Sequence, residues 1–403
     1  MKYYWSILLL LLSLGTYSQG KDRRELATLP PMGWMTWNLY GEKIDEGLIR
    51  SMANAMDTSG MVAAGYRYLI IDDGWQGGRD KKNNIIADPK KFPSGMKALA
   101  DYVHAKGLKL GIYSDAAPLT CAGYTASLHF EEQDAATFAS WGIDYLKYDY
   151  CNAPEDSNTA KERYKRMADA LSKSGRDIVF GICEWGGRQP WHWAANAGGS
   201  LWRTTGDIRD KWKTQPGEGG EGILDIVAVN GALDTYAGTG HWNDPDMLVV
   251  GLYGAKGPSS DLGGIGCTDV EYQSQMSLWS IMASPLIATN NIAVMNGATK
   301  KILLNPEVIA INQDPAGMQA HRIKNDSTWE VFLKPLNNGD VALAILNKSA
   351  SEKSCDFTRE ALGLKSDYII HDLWEHKTVG KKNKWSGVVK AHETKLFRLK
   401  KQS

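Results

Sequence analysis

The chain has 403 residues, of which 43% are hydrophobic, so it is long enough for one large domain and a small one. Its 46 basic and 46 acidic residues cancel to a formal net charge of +0, which argues against nucleic acid or an anionic membrane surface as a partner. The 15 Trp and 17 Tyr outnumber the 7 Phe. Such amphipathic rings stack on sugars, although they also fill barrel cores.

Residues 1–18 have the pattern of a secretory signal peptide. Lys2 supplies the positive start, Ile7–Leu14 the apolar core, and Thr16–Ser18 a cleavage site before Gln19. The apolar run is too short to span a bilayer, and no cysteine follows it that could carry a lipid anchor. The pattern predicts a periplasmic or secreted protein that has no membrane partner once this segment is removed.

The cysteines follow the signal segment, namely Cys121, Cys151, Cys183, Cys267 and Cys355. Export permits disulfides, and an odd number of cysteines leaves at least one thiol free. Their spacing does not match a Cys-x-x-Cys metal pattern, and the sequence contains neither a phosphate loop nor a nicotinamide fingerprint. We therefore expect neither a metal nor a cofactor.

One unit recurs four times in the first half of the chain: a helical stretch ends at Gly, a strand follows, and the strand ends in an acid. The four glycine-to-acid segments are Gly65–Asp73, Gly107–Asp115, Gly142–Asp149 and Gly175–Glu184. The stretches before them carry apolar residues at helical spacing, as in Met96, Leu99, Ala100 and Val103, or Tyr164, Met167 and Leu171. This alternation predicts parallel βαβ units.

With the strand-like runs near 201–203, 241–246 and 284–288, about eight strands fall within residues 27–315, which predicts a (β/α)8 barrel. A doubly wound open sheet is the alternative, but it favours a Gly-rich loop after its first strand, and the chain lacks one. Residues 316–403 change to short alternating runs, such as 328–333 and 340–346, joined by polar turns. They predict a C-terminal antiparallel β-sandwich.

The third unit ends in the stretch Asp144–Cys151, in which Lys147 and Asp149 point to the same face of a strand. A cation this close favours the ionised form of the carboxylate. We expect Asp149 to be an anion at working pH, as a nucleophile must be. An ordinary ion pair at a strand end is the alternative.

Acids recur where strands end, which is the edge at which barrel enzymes build their sites. They are Asp72, Asp73, Asp115, Asp149, Glu184, Asp207 and Asp246. Each could merely cap the following helix. Several of them on one rim, together with Trp37, Tyr113, Trp185 and Arg203, are harder to explain as caps.

Ordered motifs along the chain resemble those of the α-galactosidases of glycoside hydrolase family 27, especially the plant-type members. The motifs are Met32-Gly33-Trp34, Ile71–Trp75, Ala87–Pro93, Lys106–Tyr113, Thr120–Gly123, Cys183–Trp185 and Trp242–Met247. The resemblance runs from about Leu29 to Pro315 and continues more loosely through the sandwich.

The resemblance implies a retaining mechanism with Asp149 as the nucleophile and Asp207 as the general acid and base. Asp72 and Asp73 would hold the 4- and 6-hydroxyls of galactose, and Lys147 the 3- and 4-hydroxyls. The 2-hydroxyl side falls to Glu184 and Arg203. The remaining residues implied to line the pocket are Trp37, Tyr113, Trp185, Asp246 and Met247. Cys121 and Cys151 match a family disulfide, and Cys183 lacks its usual partner and should be a free, buried thiol.

Glycoside cleavage requires two carboxyl groups in different protonation states. We expect Lys147 to keep Asp149 ionised, and Asp207 to hold a proton because it lacks a close cation. The predicted activity is an exo-acting α-galactosidase that acts on a small or polymeric galactoside. The alternatives are an α-N-acetylgalactosaminidase, a β-L-arabinopyranosidase and a secreted carbohydrate-binding protein without activity. Glu184 argues against the first, since it would clash with an acetamido group. Assembly into a homo-oligomer stays open.

Overall fold

The structure is a computed structural model that describes residues 25–257, 265–380 and 384–401. The predicted signal segment at 1–18 lies outside these ranges. Among the described helices, none combines the length and apolar character needed to cross a membrane.

Eight parallel strands form one sheet whose spatial order follows the chain, with the last strand, β10, beside the first. They are β1 (Met32–Met35), β2 (Tyr68–Ile70), β5 (Lys109–Asp115), β6 (Tyr145–Asp149), β7 (Val179–Ile182), β8 (Leu201–Arg203), β9 (Trp242–Asp244) and β10 (Leu286–Ala288). A parallel bridge between Leu248 and Ala288 joins the segment after β9 to β10. The predicted (β/α)8 barrel is confirmed, and the open sheet is excluded because its strands would not follow chain order.

Helices surround this sheet, and a short hairpin of β3 (Gln76–Arg79) and β4 (Ile85–Ala87) is inserted after β2. The helices are α1 (Trp37–Tyr40), α2 (Glu46–Thr58), α3 (Met61–Ala64), α4 (Gly95–His104), α5 (Glu131–Trp141), α6 (Ser157–Lys173), α7 (Ile223–Asn230), α8 (Asp269–Ile281), α9 (Gly297–Leu303) and α10 (Pro306–Asn312). Short 3-10 helices span Pro190–His192 and Ile292–Val294.

The apolar residues whose spacing predicted α4 and α6 form the face that each helix buries. Met96, Leu99, Ala100 and Val103 of α4 are buried, as are Tyr164, Met167 and Leu171 of α6. Gly142 ends α5 with φ of 83°, a left-handed conformation that favours glycine and turns the chain back toward β6. The repeated glycine therefore sets where each strand begins, and so where its terminal acid lies.

The C-terminal region consists of antiparallel strands in a six-stranded and a two-stranded sheet. They are β11 (His321–Asn325), β12 (Trp329–Pro335), β13 (Val341–Asn347), β14 (Lys353–Thr358), β15 (Tyr368–Asp372), β16 (Lys377–Gly380), β17 (Lys384–Val389) and β18 (Thr394–Lys401). The sequence indicated β12, β13, β15 and β18, of which β13 is buried along its whole length. It did not indicate β11, β14, β16 or β17, and most residues of β11 and β16 are exposed.

Candidate active site

A cavity with an empty volume of about 510 Å³ opens where the barrel strands end. Its wall is built by the ends of seven different strands and by the loops that follow them. The lining residues are Trp37, Asn38, Asp72, Asp73, Tyr113, Cys121, Lys147, Asp149, Cys151, Trp185, Asp207, Asp246 and Met247. The fold thus gathers ten of the twelve predicted catalytic and binding residues at one place, because parallel strands in a barrel end on the same rim. Glu184 and Arg203 are the two others.

One wall consists of Asp72, Asp73 and Lys147. The Lys147 ammonium donates to Asp72 Oδ2 at 2.8 Å, and Asp73 Oδ2 accepts a bond from the Ala122 amide at 2.9 Å. Burial, and then the neighbouring Asp72, raise the pKa of Asp73 to about 6 although backbone amides donate to it. This wall therefore presents two carboxyl groups and one ammonium group, and the hydrogen bonds above fix their positions before a ligand binds.

Asp149 ends β6 on the cavity floor and is 3% exposed. Its Oδ1 accepts a bond from the Tyr150 amide at 3.0 Å. Burial raises the pKa of this carboxyl to about 7; Lys147 opposes the rise and Asp207 adds to it. Lys147 favours the ionised form of Asp149, as the sequence predicts, but its hydrogen bond goes to Asp72 and burial opposes its effect.

Asp207 has a close cation, contrary to the sequence-based expectation. Arg203 Nη2 lies 3.1 Å from Asp207 Oδ1 and 3.2 Å from Asp246 Oδ2. Although burial acts upward, Arg203 and then Lys147 hold the pKa of Asp207 below its ordinary value. Arg203 therefore favours the ionised form of Asp207 in the unliganded protein, and the expectation that Asp207 lacks a close cation was wrong.

Arg203 lies just beneath the cavity, with its side chain 3% exposed. Besides the two carboxylates it donates to the Gly206 carbonyl at 2.8 Å and reaches Cys183 Sγ at 3.7 Å through Nη1. It lines a smaller chamber that shares Lys147, Asp246 and Met247 with the cavity above. Arg203 therefore fixes the carboxylates of Asp207 and Asp246, and its predicted contact with the 2-hydroxyl side of the sugar stays a prediction.

Glu184 is not among the residues that line the cavity. Its side chain is fully buried, and its Oε2 accepts a bond from Arg188 Nη1 at 3.0 Å. Trp185, the next residue, lines the cavity, whereas Arg188 holds the Glu184 side chain. The predicted contact of Glu184 with the 2-hydroxyl, and its exclusion of an acetamido group, stay predictions.

Cys121 and Cys151 form the disulfide that the resemblance implied, and both line the cavity. Cys183 is a free, buried thiol, as expected, and so are Cys267 and Cys355. Together with Asp115 and Asp149, the two bridged sulfurs form a tight cluster, with the ligand atoms within 4.8 Å of one another. A disulfide offers no thiolate, so this cluster is a poor cation site.

Comparison with known proteins identifies the family. The family model described as alpha galactosidase A (melibiase) matches residues 29–314, and its C-terminal beta sandwich domain matches 326–399. The chain belongs to the melibiase family of α-galactosidases. Alpha-galactosidase A of Cellvibrio japonicus is 48% identical over 367 residues, covering 90% of this chain and 87% of that protein.

Other melibiase-family members are similar over nearly the whole chain. Alpha-galactosidase 2 of Arabidopsis thaliana is 44% identical and covers 93% of this chain and 90% of its own length. The structure of α-galactosidase from Saccharomyces cerevisiae with raffinose is 29% identical, with a TM-score of 0.87, and covers 94% of this chain and 99% of its own. The similarity thus includes both the barrel and the sandwich.

Sequence reasoning missed Asn38 and Arg188 at this melibiase-family site and gave Asp115 no role there. Asn38 lines the cavity, and its buried Nδ2 has no hydrogen-bond partner among the described residues. Asp115 is buried beside Asp149, and Arg188 pairs with Glu184. Asp115 had been noted as a strand-end acid, and the opposite charges at positions 184 and 188 were a usable signal. Nothing in the sequence distinguished Asn38.

Proposed function

We propose that the protein is an exo-acting, retaining α-galactosidase that removes terminal α-linked galactose by double displacement. The observation that carries the proposal is the presence of Asp149 and Asp207 in one cavity that the Asp72, Asp73 and Lys147 cluster also lines. Two carboxyl groups that share one site are what acid-assisted glycoside cleavage requires.

The wall cluster accounts for recognition of a terminal sugar. Adjacent carboxylates at Asp72 and Asp73 accept bonds from neighbouring hydroxyls, and the Lys147 ammonium donates to a third. Both carboxyl groups are nearly inaccessible, with exposures of 2% and 1%. A sugar that lacks the matching donors leaves buried acceptors unpaired, which costs about 1–3 kcal/mol for each group. The cavity therefore favours galactose at the end of a chain.

In the reaction, Asp149 attacks the anomeric carbon while Asp207 gives a proton to the departing oxygen. The resulting glycosyl ester at Asp149 is then hydrolysed by a water that Asp207 deprotonates. Two coupled carboxyl groups titrate as a pair, so a single proton is shared between them. Positive charge that develops at the anomeric carbon favours ionised Asp149, which places the proton on Asp207 when the substrate is bound.

The first test replaces each acid in turn. Asp149→Ala and Asp207→Ala are expected to lower kcat on raffinose by at least about 1,000-fold, since each removes one chemical step. Azide should restore turnover of a nitrophenyl galactoside to one or both variants by replacing the lost carboxylate. Raffinose hydrolysis at the wild-type rate in either variant would contradict the mechanism.

Product stereochemistry and substrate choice complete the test. NMR of the first product formed should show α-galactose before mutarotation, and initial β-galactose would mean inversion.

Nitrophenyl α-galactoside, α-N-acetylgalactosaminide and β-L-arabinopyranoside assayed side by side should show the highest kcat/KM for the first. A preference for either of the others would replace the proposed substrate. If galactose binds but none of the three is cleaved, the protein is the non-enzymatic alternative.

We further propose that residues 1–18 direct export and are removed. The support is the charge and apolar pattern of the segment. N-terminal sequencing of protein recovered from the periplasm or the medium should begin at or near Gln19. An N-terminus at Met1 in that material would contradict the proposal.

A further inference from the structure

The turn that follows β7 is held by an ion pair that the proposed chemistry does not use. Glu184 Oε1 accepts a bond from the Arg188 amide, and Glu184 Oε2 accepts one from Arg188 Nη1, both at 3.0 Å. The two side chains are 0% and 15% exposed. Burial raises the pKa of Glu184, and the Arg188 bonds oppose that rise. A charge pair this buried is costly unless its geometry is well satisfied.

The first of the three residues between the two charges is Trp185, which lines the cavity with Asp149 and Asp207. Trp185 has φ of 55°, in the left-handed region that bulky residues seldom adopt. Such a conformation costs on the order of 1–3 kcal/mol and persists only where the surroundings impose it. Here the Glu184 carboxylate closes the turn by binding both the backbone and the side chain of Arg188.

Arg188 also connects this turn to the nucleophile. Its Nε donates to the Glu155 carbonyl at 3.0 Å, and its guanidinium lies 4.6 Å from the centre of the Tyr150 ring. The Tyr150 amide in turn donates to Asp149 Oδ1. Arg188 therefore packs against the segments after β6 and after β7, which carry two walls of the same cavity.

We propose that Glu184 and Arg188 are positioning residues that hold the indole of Trp185 against the sugar and so set the affinity for α-galactosides whose leaving group is itself a sugar. The inference rests on the proposed function. The anomeric carbon must lie between Asp149 and Asp207, so an indole beside both acids contacts the substrate next to the bond that breaks. A flat amphipathic ring stacks on a sugar face, and a ring that moves loses this contact in the ground state and transition state alike.

The test uses the double variant Glu184→Gln/Arg188→Met, which removes the pair without leaving a buried charge alone. KM for raffinose should rise about tenfold with kcat within about twofold, since uniform binding is lost. The matched control is Glu330→Gln/Arg322→Met, which removes a pair with 1% and 19% exposure in the sandwich. This control should leave both constants unchanged. Arg188→Lys, which keeps the charge, should have an intermediate KM.

A cycle with Trp185→Ala separates positioning from general damage. If the pair acts through the indole, adding the double variant to Trp185→Ala should change KM by less than about twofold. A KM effect that persists in that background, a loss confined to kcat, or an unchanged KM in folded double variant would each overturn the inference. Inactive wild type would overturn the proposed function and this inference with it, whereas active wild type with unaffected variants overturns this inference alone.

Discussion

Individual residues at the site show why neighbours in sequence do not reveal charge state. Lys147 lies two residues before Asp149 on the same strand face, yet its ammonium donates to Asp72. Arg203 lies four residues before Asp207 and contacts it at 3.1 Å. Burial and these partners shift the pKa values of the two acids, and neither is visible in a motif.

The raised pKa of Asp149 predicts how activity depends on pH. With one proton on the pair the site is competent, and with both acids ionised no acid remains for the leaving group. Because burial raises the pKa of Asp149 to about 7, kcat/KM for raffinose should fall as the pH rises through that value. Rates measured across a buffered series would check this.

An activated substrate provides the control for that profile. A dinitrophenyl galactoside needs no protonation of its leaving group, so the alkaline fall in its kcat/KM should be much weaker. Equal alkaline limbs for the two substrates would contradict the assignment of the shared proton to leaving-group departure.

Among the elements, the turn after β7 is tightly constrained by backbone geometry. Gly186 has φ of 75°, and a Cβ built there would lie 2.1 Å from the Thr204 carbonyl oxygen. The turn is thus pressed against the segment that follows β8 and leads to Asp207. The relative position of the Trp185 and Asp207 walls depends on a glycine at this point.

Gly186→Ala should therefore lower the free energy of unfolding by about 2–4 kcal/mol through strain and overpacking, and should also reduce activity. Urea denaturation would measure the loss. The adjacent Gly187→Ala is the matched control, because a Cβ there would meet its nearest atom, the Glu184 carbonyl oxygen, at 3.6 Å. Equal stability of the two variants would contradict the close contact.

At the scale of the whole molecule, the sandwich supports the loop that carries Asp207. His392, between β17 and β18, stacks on Trp212 with ring centroids 4.8 Å apart. Its Nδ1 lies within hydrogen-bond distance of Glu271 Oε1 of α8, at 2.7 Å. Trp212 lies in the loop that begins at Asp207. The C-terminal domain is therefore part of the support of the site, although the described cavity lining comes from the barrel.

Buried acids also make the stability of the whole chain depend on pH. Burial, and then Asp149, raise the pKa of Asp115 to about 9, far above that of an unfolded Asp. Between these values the folded chain binds a proton that the unfolded chain releases, so stability falls as the pH rises. Asp115→Asn removes this loss and should raise Tm by a few degrees at about pH 8, and by less at about pH 5.

Thermal unfolding at the two pH values would measure the effect of Asp115→Asn. Asp101→Asn on the exposed side of α4 is the control and should shift Tm equally little at both. A Tm gain for Asp115→Asn that is as large near pH 5 as near pH 8 would contradict a buried carboxyl that keeps its proton.

The sequence by itself determined the barrel, the buried sandwich strands and the rim on which the acids gather. The spacing of apolar residues, the glycines that end helices and the acids at strand ends are local properties of the sequence. Parallel strands bring these acids to one edge of the barrel, whichever partners their side chains then take. Only the tertiary structure decided which partner each charge takes: Lys147 with Asp72, Arg203 with Asp207, and Glu184 with Arg188. These pairings depend on turn geometry and desolvation between distant segments, as in the turn after β7, where Trp185 lines the cavity and Glu184 pairs with Arg188.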